Sequence, residues 1–230
     1  MSKKNRRRAP QRPTVVFDFG GVLSAGHDPV PDIHELLGGD VEAVGEALWA
    51  ERGDYDAGRT SPAEYWGLVA RAAGVEELTA AEIDELQDAD NRYFLRLEPD
   101  SRALLHDLAR NDVRMALLSN ASAAFGEAVR EADWFEAFTL AVISAEERTV
   151  KPEREIYEVL LDVLAHETGG VRLPSAVIFF DDRAENVEAA RALGIDAHLW
   201  PRNGDPRPEG TEPGVSIARR VLAERGVPTD

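Results

Sequence analysis

Four polar clusters combine residue types suited to handling a phosphoryl group. Asp18 stands directly after Val15-Val16-Phe17 and before Phe19-Gly20-Gly21-Val22-Leu23. Ser119-Asn120 follow the apolar run Met115 to Leu118, Lys151 sits within Thr149-Val150-Lys151-Pro152, and Asp181-Asp182 follow Ile178-Phe179-Phe180, with Asn186 one helical turn beyond. Carboxylates supply the oxygen ligands that Mg²⁺ prefers. A metal ion and Lys151 together offset charge on a transferring group, and Asp18 is then available to attack phosphorus as a nucleophile. Each cluster alone has a plainer reading. An aspartate at a strand end caps a turn, Asp181-Asp182 cap the helix starting near Glu185, Lys151 is a surface lysine, and Ser119-Asn120 form a turn. The joint placement after four separate apolar runs is what favours chemistry.

Those runs read as buried strands: Thr14 to Phe17, Arg114 to Leu118, Thr139 to Ile143 and Ala176 to Phe180, with a weaker fifth at Ala197 to Trp200. Between them, Ser101 to Arg110, Ala121 to Arg130, Glu153 to Leu164 and Glu185 to Leu193 carry apolar residues at three- and four-residue spacing and predict helices. Alternating strand and helix predicts an α/β fold with a doubly wound parallel sheet, whose ligands bind at the carboxyl ends of the strands. All four polar clusters fall at those ends. The segment 26–96 breaks the alternation. Ser61-Pro62-Ala63-Glu64 and Thr79-Ala80-Ala81-Glu82 have the capping-box form that opens a helix, so the segment is expected to be a small helical cap. The expected organisation is a basic arm at 1–13, a core of 14–25 and 97–230, and the cap at 26–96. Residues Pro201 to Pro213, rich in Pro, Gly and charge, predict a surface loop before a last helix near Val215 to Glu224.

Composition narrows the function classes. The chain has 230 residues, enough for one sizeable core and a modest insertion. Without cysteine, it has no disulfides, thiolate metal sites or cysteine nucleophile. No apolar run approaches the roughly 20 residues that span a bilayer, so no membrane association is expected. The basic segment 1–13 precedes no apolar stretch of signal-peptide type, which predicts a disordered solubilising arm and a cytoplasmic location. A net charge of −17 argues against a nucleic-acid partner, because phosphates meet repulsion outside a focused site. A small anionic substrate remains compatible if a bound cation reverses the local sign. Oligomeric state is not readable.

The four clusters resemble, in order, motifs one to four of the haloacid dehalogenase superfamily, in the branch with a helical cap after the first motif. FDFGGVL resembles motif one, LLSN motif two, VKPEREIY motif three and FFDDRAENVEAARALGI motif four. The resemblance implies Asp18 as a nucleophile forming an aspartyl-phosphate and Ser119 as a hydrogen-bond donor to the phosphoryl group. It also implies that Asn120 helps position that group and that Lys151 balances its charge. Asp182, with Asp181 beside it, would bind Mg²⁺ together with Asp18 and the backbone carbonyl of Gly20. The implied activity is a Mg²⁺-dependent phosphatase of a small phosphorylated metabolite, such as a sugar phosphate.

Two positions depart from the family pattern. Its phosphatases usually carry a second aspartate two residues after the nucleophile as general acid and base, and here that position is Gly20. Such a group contributes about 10² to 10⁴ in rate. Some sugar-1-phosphate phosphatases of the family resemble this chain in having Gly there. The other departure is Arg148, where the family often has Gly, and only a local loop change is expected. His27, in the loop after motif one, is a candidate proton donor toward substrate, although a lone loop histidine is commonly just solvated. Arg59, in the turn Asp54-Tyr55-Asp56-Ala57-Gly58-Arg59, is a candidate contact to an anionic substrate group, or part of a solvated turn. Trp49, Tyr55, Tyr65, Trp66, Tyr93 and Phe94 have helical spacing that fits core packing better than a pocket lining. Gly20 keeps open a catalytically silent binding protein. A metal-free dehalogenase fits less well, because the acidic pair of FFDD would have no metal to bind.

Overall fold

Successive side chains of a strand point to opposite faces, and here both faces are apolar, as a parallel sheet covered on both sides requires. In the computed structural model, which describes residues 13–24, 28–167, 170–206 and 208–229, Val15 and Phe17 of β1 (Thr14–Phe17) enter one core while Val16 enters the other. β2 (Met115–Ser119) and β4 (Val177–Asp181) divide their residues the same way, and β3 (Leu140–Ile143) and β5 (Asp196–Leu199) form the edges. All pairings are parallel, in the order β3-β2-β1-β4-β5. The order reverses after β1, and that switch point is where such sheets bind ligands.

Between β1 and β2 the chain forms α1 (Val30–Leu37), α2 (Val41–Asp56), α3 (Pro62–Ala72), α4 (Ala80–Phe94) and α5 (Pro99–Arg110). The remaining helices are α6 (Ala123–Glu131), the one-turn α7 (Ser144–Glu147), α8 (Arg154–Glu167), α9 (Ala184–Ala192) and α10 (Gly214–Glu224). Helices α5, α6 and α10 cover one face of the sheet through Leu104, Leu108, Phe125, Val129 and Leu222. Helices α8 and α9 cover the other through Ile156, Tyr157, Leu160, Val187 and Ala190. Burial at this scale supplies the driving force, at about 25 cal/mol per Å² of apolar surface.

Helices α1 to α4 have their own apolar cluster, including Ile33, Val44, Leu48, Tyr65, Trp66 and Leu86. The capping boxes read from the sequence are both formed: Ser61 and Thr79 accept from the backbone of Glu64 and Glu82, whose carboxylates reach back to the caps. This helical insertion leaves and rejoins the core at one point, where Ser24 and Leu97 form an antiparallel bridge and Glu98 N donates to Leu23 O at 2.8 Å. Among the described residues no helix is long and apolar enough to cross a membrane. The basic arm, up to residue 12, and His27 lie outside the described residues.

Candidate active site

The carboxyl ends of β1, β2 and β4 bring the four sequence clusters together. Lys151 Nζ lies 2.7 Å from Asp18 Oδ1, 2.7 Å from Asp181 Oδ2 and 3.0 Å from Leu118 O. Its loop is fixed from β2: Asn120 accepts from Lys151 N at 2.8 Å and donates to Lys151 O at 2.9 Å. The Asn120 amide is thus engaged with the lysine main chain, while the residue also lines the cavity beside Ser119. Asp181 is fully buried, and its other oxygen accepts from Arg183 N and Asn186 Nδ2, both at 2.9 Å. Asp182 faces Arg202 at 2.8 Å. Carboxylate oxygens of Asp18, Asp181 and Asp182 all lie within 4.8 Å of one another.

That spacing fits a small divalent cation. Opposite ligands of an octahedral Mg²⁺ ion are about 4.2 Å apart, from metal–oxygen distances of 2.0–2.1 Å, so modest side-chain adjustment suffices. Asp181 already spends both oxygens on Lys151, Arg183 and Asn186, which leaves Asp18 and Asp182 as the freer ligands. Gly20 also lines this space. Gly21 turns the chain beside it in a left-handed conformation (φ +75°), and a Cβ there would lie 2.6 Å from Asp182 Oδ2, so only glycine fits.

Electrostatics express the same crowding. Burial, with Asp181 and Asp182 adding to it against the pull of Lys151, pushes the Asp18 carboxyl up to about 7. Burial also raises Asp182, reinforced by Asp181 and opposed by Arg202 and Lys151. For Lys151 burial works against the ammonium, but Asp18 and Asp181 outweigh it and hold the pKa above its usual value.

A cavity of about 450 Å³ lies above these groups, with a floor that includes Asp18, Ser119 and Lys151. Its other walls come partly from the helical insertion: Trp49, Arg52 and Asp56 of α2, Phe94 of α4, and Arg59. Arg59 therefore reaches the cavity, where it pairs with Asp54 at 2.7 Å. The aromatic residues divide. Tyr55, Tyr65 and Trp66 are core, whereas Trp49 is 49% exposed at the cavity wall and Phe94 lines it too. Sequence reading missed Arg52 and Arg202. Arg52 had no local signal, since its partners are distant in the chain, and Arg202 stands in a segment that composition marks only as loop.

A family model described as haloacid dehalogenase-like hydrolase matches residues 13–194. The chain belongs to that family of hydrolases. Among curated relatives it is 27% identical over 225 residues to phosphatase MT3486 of Mycobacterium tuberculosis, covering 92% of this chain and 97% of that protein. It is 28% identical over 192 residues to the sesquiterpene phosphatase astK of Aspergillus oryzae, covering 80% and 88%. Among solved structures it resembles a HAD family enzyme of Bacteroides thetaiotaomicron, a mutant in complex with magnesium and inorganic phosphate, with a TM-score of 0.63, 20% identity and coverage of 84% and 96%. It also resembles L-2-haloacid dehalogenase of Xanthobacter autotrophicus with chloropropionic acid covalently bound, with a TM-score of 0.61, 21% identity and coverage of 94% and 84%. At those identities the structural likenesses establish the fold.

Proposed function

We propose that this hydrolase is a Mg²⁺-dependent phosphatase of small phosphorylated metabolites, working through an aspartyl-phosphate on Asp18. The observation that carries the reading is the Asp18 carboxylate, held by Lys151 at 2.7 Å within a group of three carboxylates at the floor of the cavity. Asp18 forms the new bond to phosphorus as the ester oxygen departs, and water then cleaves the acyl-phosphate to free Asp18 and inorganic phosphate. The Ser119 hydroxyl donates to the phosphoryl oxygens, Lys151 offsets their charge, and Asn120 holds the lysine loop in register. Mg²⁺, held by Asp18, Asp182 and the Gly20 carbonyl with Asp181 beside it, would supply further charge stabilisation. Helices α1 to α4 act as a cap that limits water at the reacting centre. The two phosphatase-named relatives support this reading, as does the Bacteroides enzyme's complex with magnesium and phosphate.

The test is phosphate release from a panel of phosphate esters with Mg²⁺, comparing the parent protein with Asp18→Asn. Release should vanish in the variant; equal release by both would remove Asp18 as nucleophile. Gly20 favours a second reading, a catalytically silent binder. Beryllium fluoride separates the two, because the phosphatase should trap an aspartyl-phosphate mimic on Asp18 and a silent binder should not. The likeness to a dehalogenase leaves metal-free hydrolysis as a third reading, which activity surviving EDTA would favour.

A further inference from the structure

Expulsion of an alkoxide from a phosphate ester needs a proton at the departing oxygen, and few groups around this cavity can deliver one. Asp18 is committed to phosphorus, and Asp182 faces Arg202 and the cation position. Lys151 is held between two carboxylates, and arginines do not release protons. Asp56, at the C-terminal end of α2, remains.

Its main chain is seated on the core beside the phosphoryl-binding strand end. The Ser144 hydroxyl donates to Asp56 O and accepts from Ala121 N at 2.9 Å, and Ala121 directly follows Ser119-Asn120. Gly58 (φ +66°) lets the chain lie flat on α7, where a Cβ would be 2.4 Å from Ala145 O. One hydroxyl thus spans from the segment carrying Ser119 to Asp56. Asp56 is among the residues that line the same cavity as Asp18 and Ser119, and its side chain keeps 17% of its surface exposed.

The surroundings of Asp56 suit a carboxyl that exchanges a proton. Arg52 forks onto Asp90 with two bonds of 3.0 Å and turns only Nε toward Asp56, at 3.3 Å. Asp56 Oδ1 is buried and accepts no well-aligned hydrogen bond. Two carboxylates share a single guanidinium, and Asp90 takes the better half. Burial, opposed by Arg52 and reinforced by Asp90, accordingly pushes the Asp56 carboxyl up to about 6.

Resting on the phosphatase reading above, we propose that Asp56 is the general acid and base of this site. Its carboxyl gives a proton to the departing ester oxygen as phosphorus moves to Asp18. Its carboxylate then takes a proton from the water that attacks the aspartyl-phosphate, which restores the starting state. The group that completes the chemistry is carried by the helical insertion rather than by the loop after β1, so leaving-group protonation is available only while α2 is seated on α7.

The experiment is kcat/KM with Mg²⁺ for a series running from p-nitrophenyl phosphate through phenyl phosphate to a simple alkyl phosphate. This parameter reports the first phosphoryl transfer, where the leaving group departs. Asp56→Asn should lower the alkyl ester about 10²- to 10⁴-fold and p-nitrophenyl phosphate, whose leaving group needs little help, less than about tenfold. Asp56→Glu, which keeps a carboxyl, should recover part of the alkyl activity. A melting temperature like the parent's shows that Asp56→Asn is folded, and its kcat should fall with every ester because the base of the second step is gone. Equal loss of kcat/KM across the series with no recovery by Asp56→Glu, or no loss with the alkyl ester, overturns the assignment. So does selective loss of the alkyl activity in His27→Gln instead. If the parent releases phosphate from no ester, the phosphatase reading fails and takes this one with it; uniform loss of kcat/KM in Asp56→Asn beside an Asp18-dependent parent sinks only the role of Asp56.

Discussion

Lys151→Met tests how the site is held together without its cation. The ammonium touches two carboxylates at 2.7 Å and the carbonyl of Leu118 at 3.0 Å, and Lys151, Asp18 and Asp181 are all buried. Methionine keeps most of the stem's packing but removes the charge, leaving Asp18 and Asp181 facing each other with Asp182 alongside. Breaking a buried ion pair by removing one partner costs about 3–5 kcal/mol. Asp181 keeps its donors Arg183 N and Asn186 Nδ2, so Asp18 is the group that takes up a proton, which puts the loss near the lower end at neutral pH. For a chain of this length the melting temperature should fall by about 6–20 °C in EDTA, taking 2–4 °C per kcal/mol. The pH dependence has a fixed sign. Asp18 titrates near 3.8 unfolded and about 7 folded, so the folded state binds more protons between those values. Metal-free stability therefore falls as pH rises through that window, and the variant should extend the fall above pH 7. Mg²⁺ at a hundred times its dissociation constant should restore about 2.7 kcal/mol. A melting temperature in EDTA within about 2 °C of the parent's, measured by calorimetry at pH 7, would refute the view that Lys151 is the site's internal counterion.

Gly20→Asp should be tolerated, because a Cβ at Gly20 meets no atom within 4 Å. It should raise kcat/KM for alkyl phosphates and rescue Asp56→Asn on them, while a fourth carboxylate beside the other three lowers the melting temperature in EDTA. Failure to rescue would mean that position 20 cannot reach the leaving group. Arg148 is an exposed residue in the left-handed region (φ +56°, ψ +32°). A side chain there costs about 1–2 kcal/mol, partly offset by the extra unfolded-state freedom of glycine. Arg148→Gly should gain about 0.5–1 kcal/mol in urea denaturation with unchanged kinetics; a loss of stability would show that the arginine has a partner that outweighs its strain.

The sheet and the four clusters were legible because a doubly covered parallel strand must be apolar throughout, so each run ends visibly at a polar residue. The strand ends themselves were read one residue short. β2 includes Ser119 and β4 includes Asp181, which pair with Ile143 and Leu199, because backbone pairing continues after hydrophobicity stops. The family resemblance gave the left-handed position of Arg148 its meaning: glycine is common there because the turn needs positive φ. The walls of the cavity were much less legible. Arg52 and Asp90 lie 38 residues apart on two helices and look like ordinary solvated charges in a sequence with 30% charged residues. Tyr65 and Trp49 share helical spacing, yet one is buried in the insertion and the other is half-exposed at the cavity. Helix α2 turns only Val44, Leu48 and Tyr55 inward, too narrow a stripe to tell the cavity face from the solvent face.

Charge bookkeeping around the cavity explains why this reading needs a divalent cation rather than basic side chains. Four arginines line the cavity, but each is already matched: Arg52 with Asp90 and Asp56, Arg59 with Asp54, Arg183 with Glu185 and Arg202 with Asp182. They orient and shape the space without giving it net positive charge. On the floor, three carboxylates face one ammonium, and the whole chain carries −17. A phosphate dianion entering such a site is repelled unless two positive charges arrive at the carboxylates first. A magnesium ion held there would compete with Arg202 for Asp182, whose oxygen lies 2.8 Å from the guanidinium. Metal and substrate should therefore bind in that order, and phosphate affinity measured by calorimetry should collapse in EDTA; unchanged phosphate binding without metal would contradict the ordering.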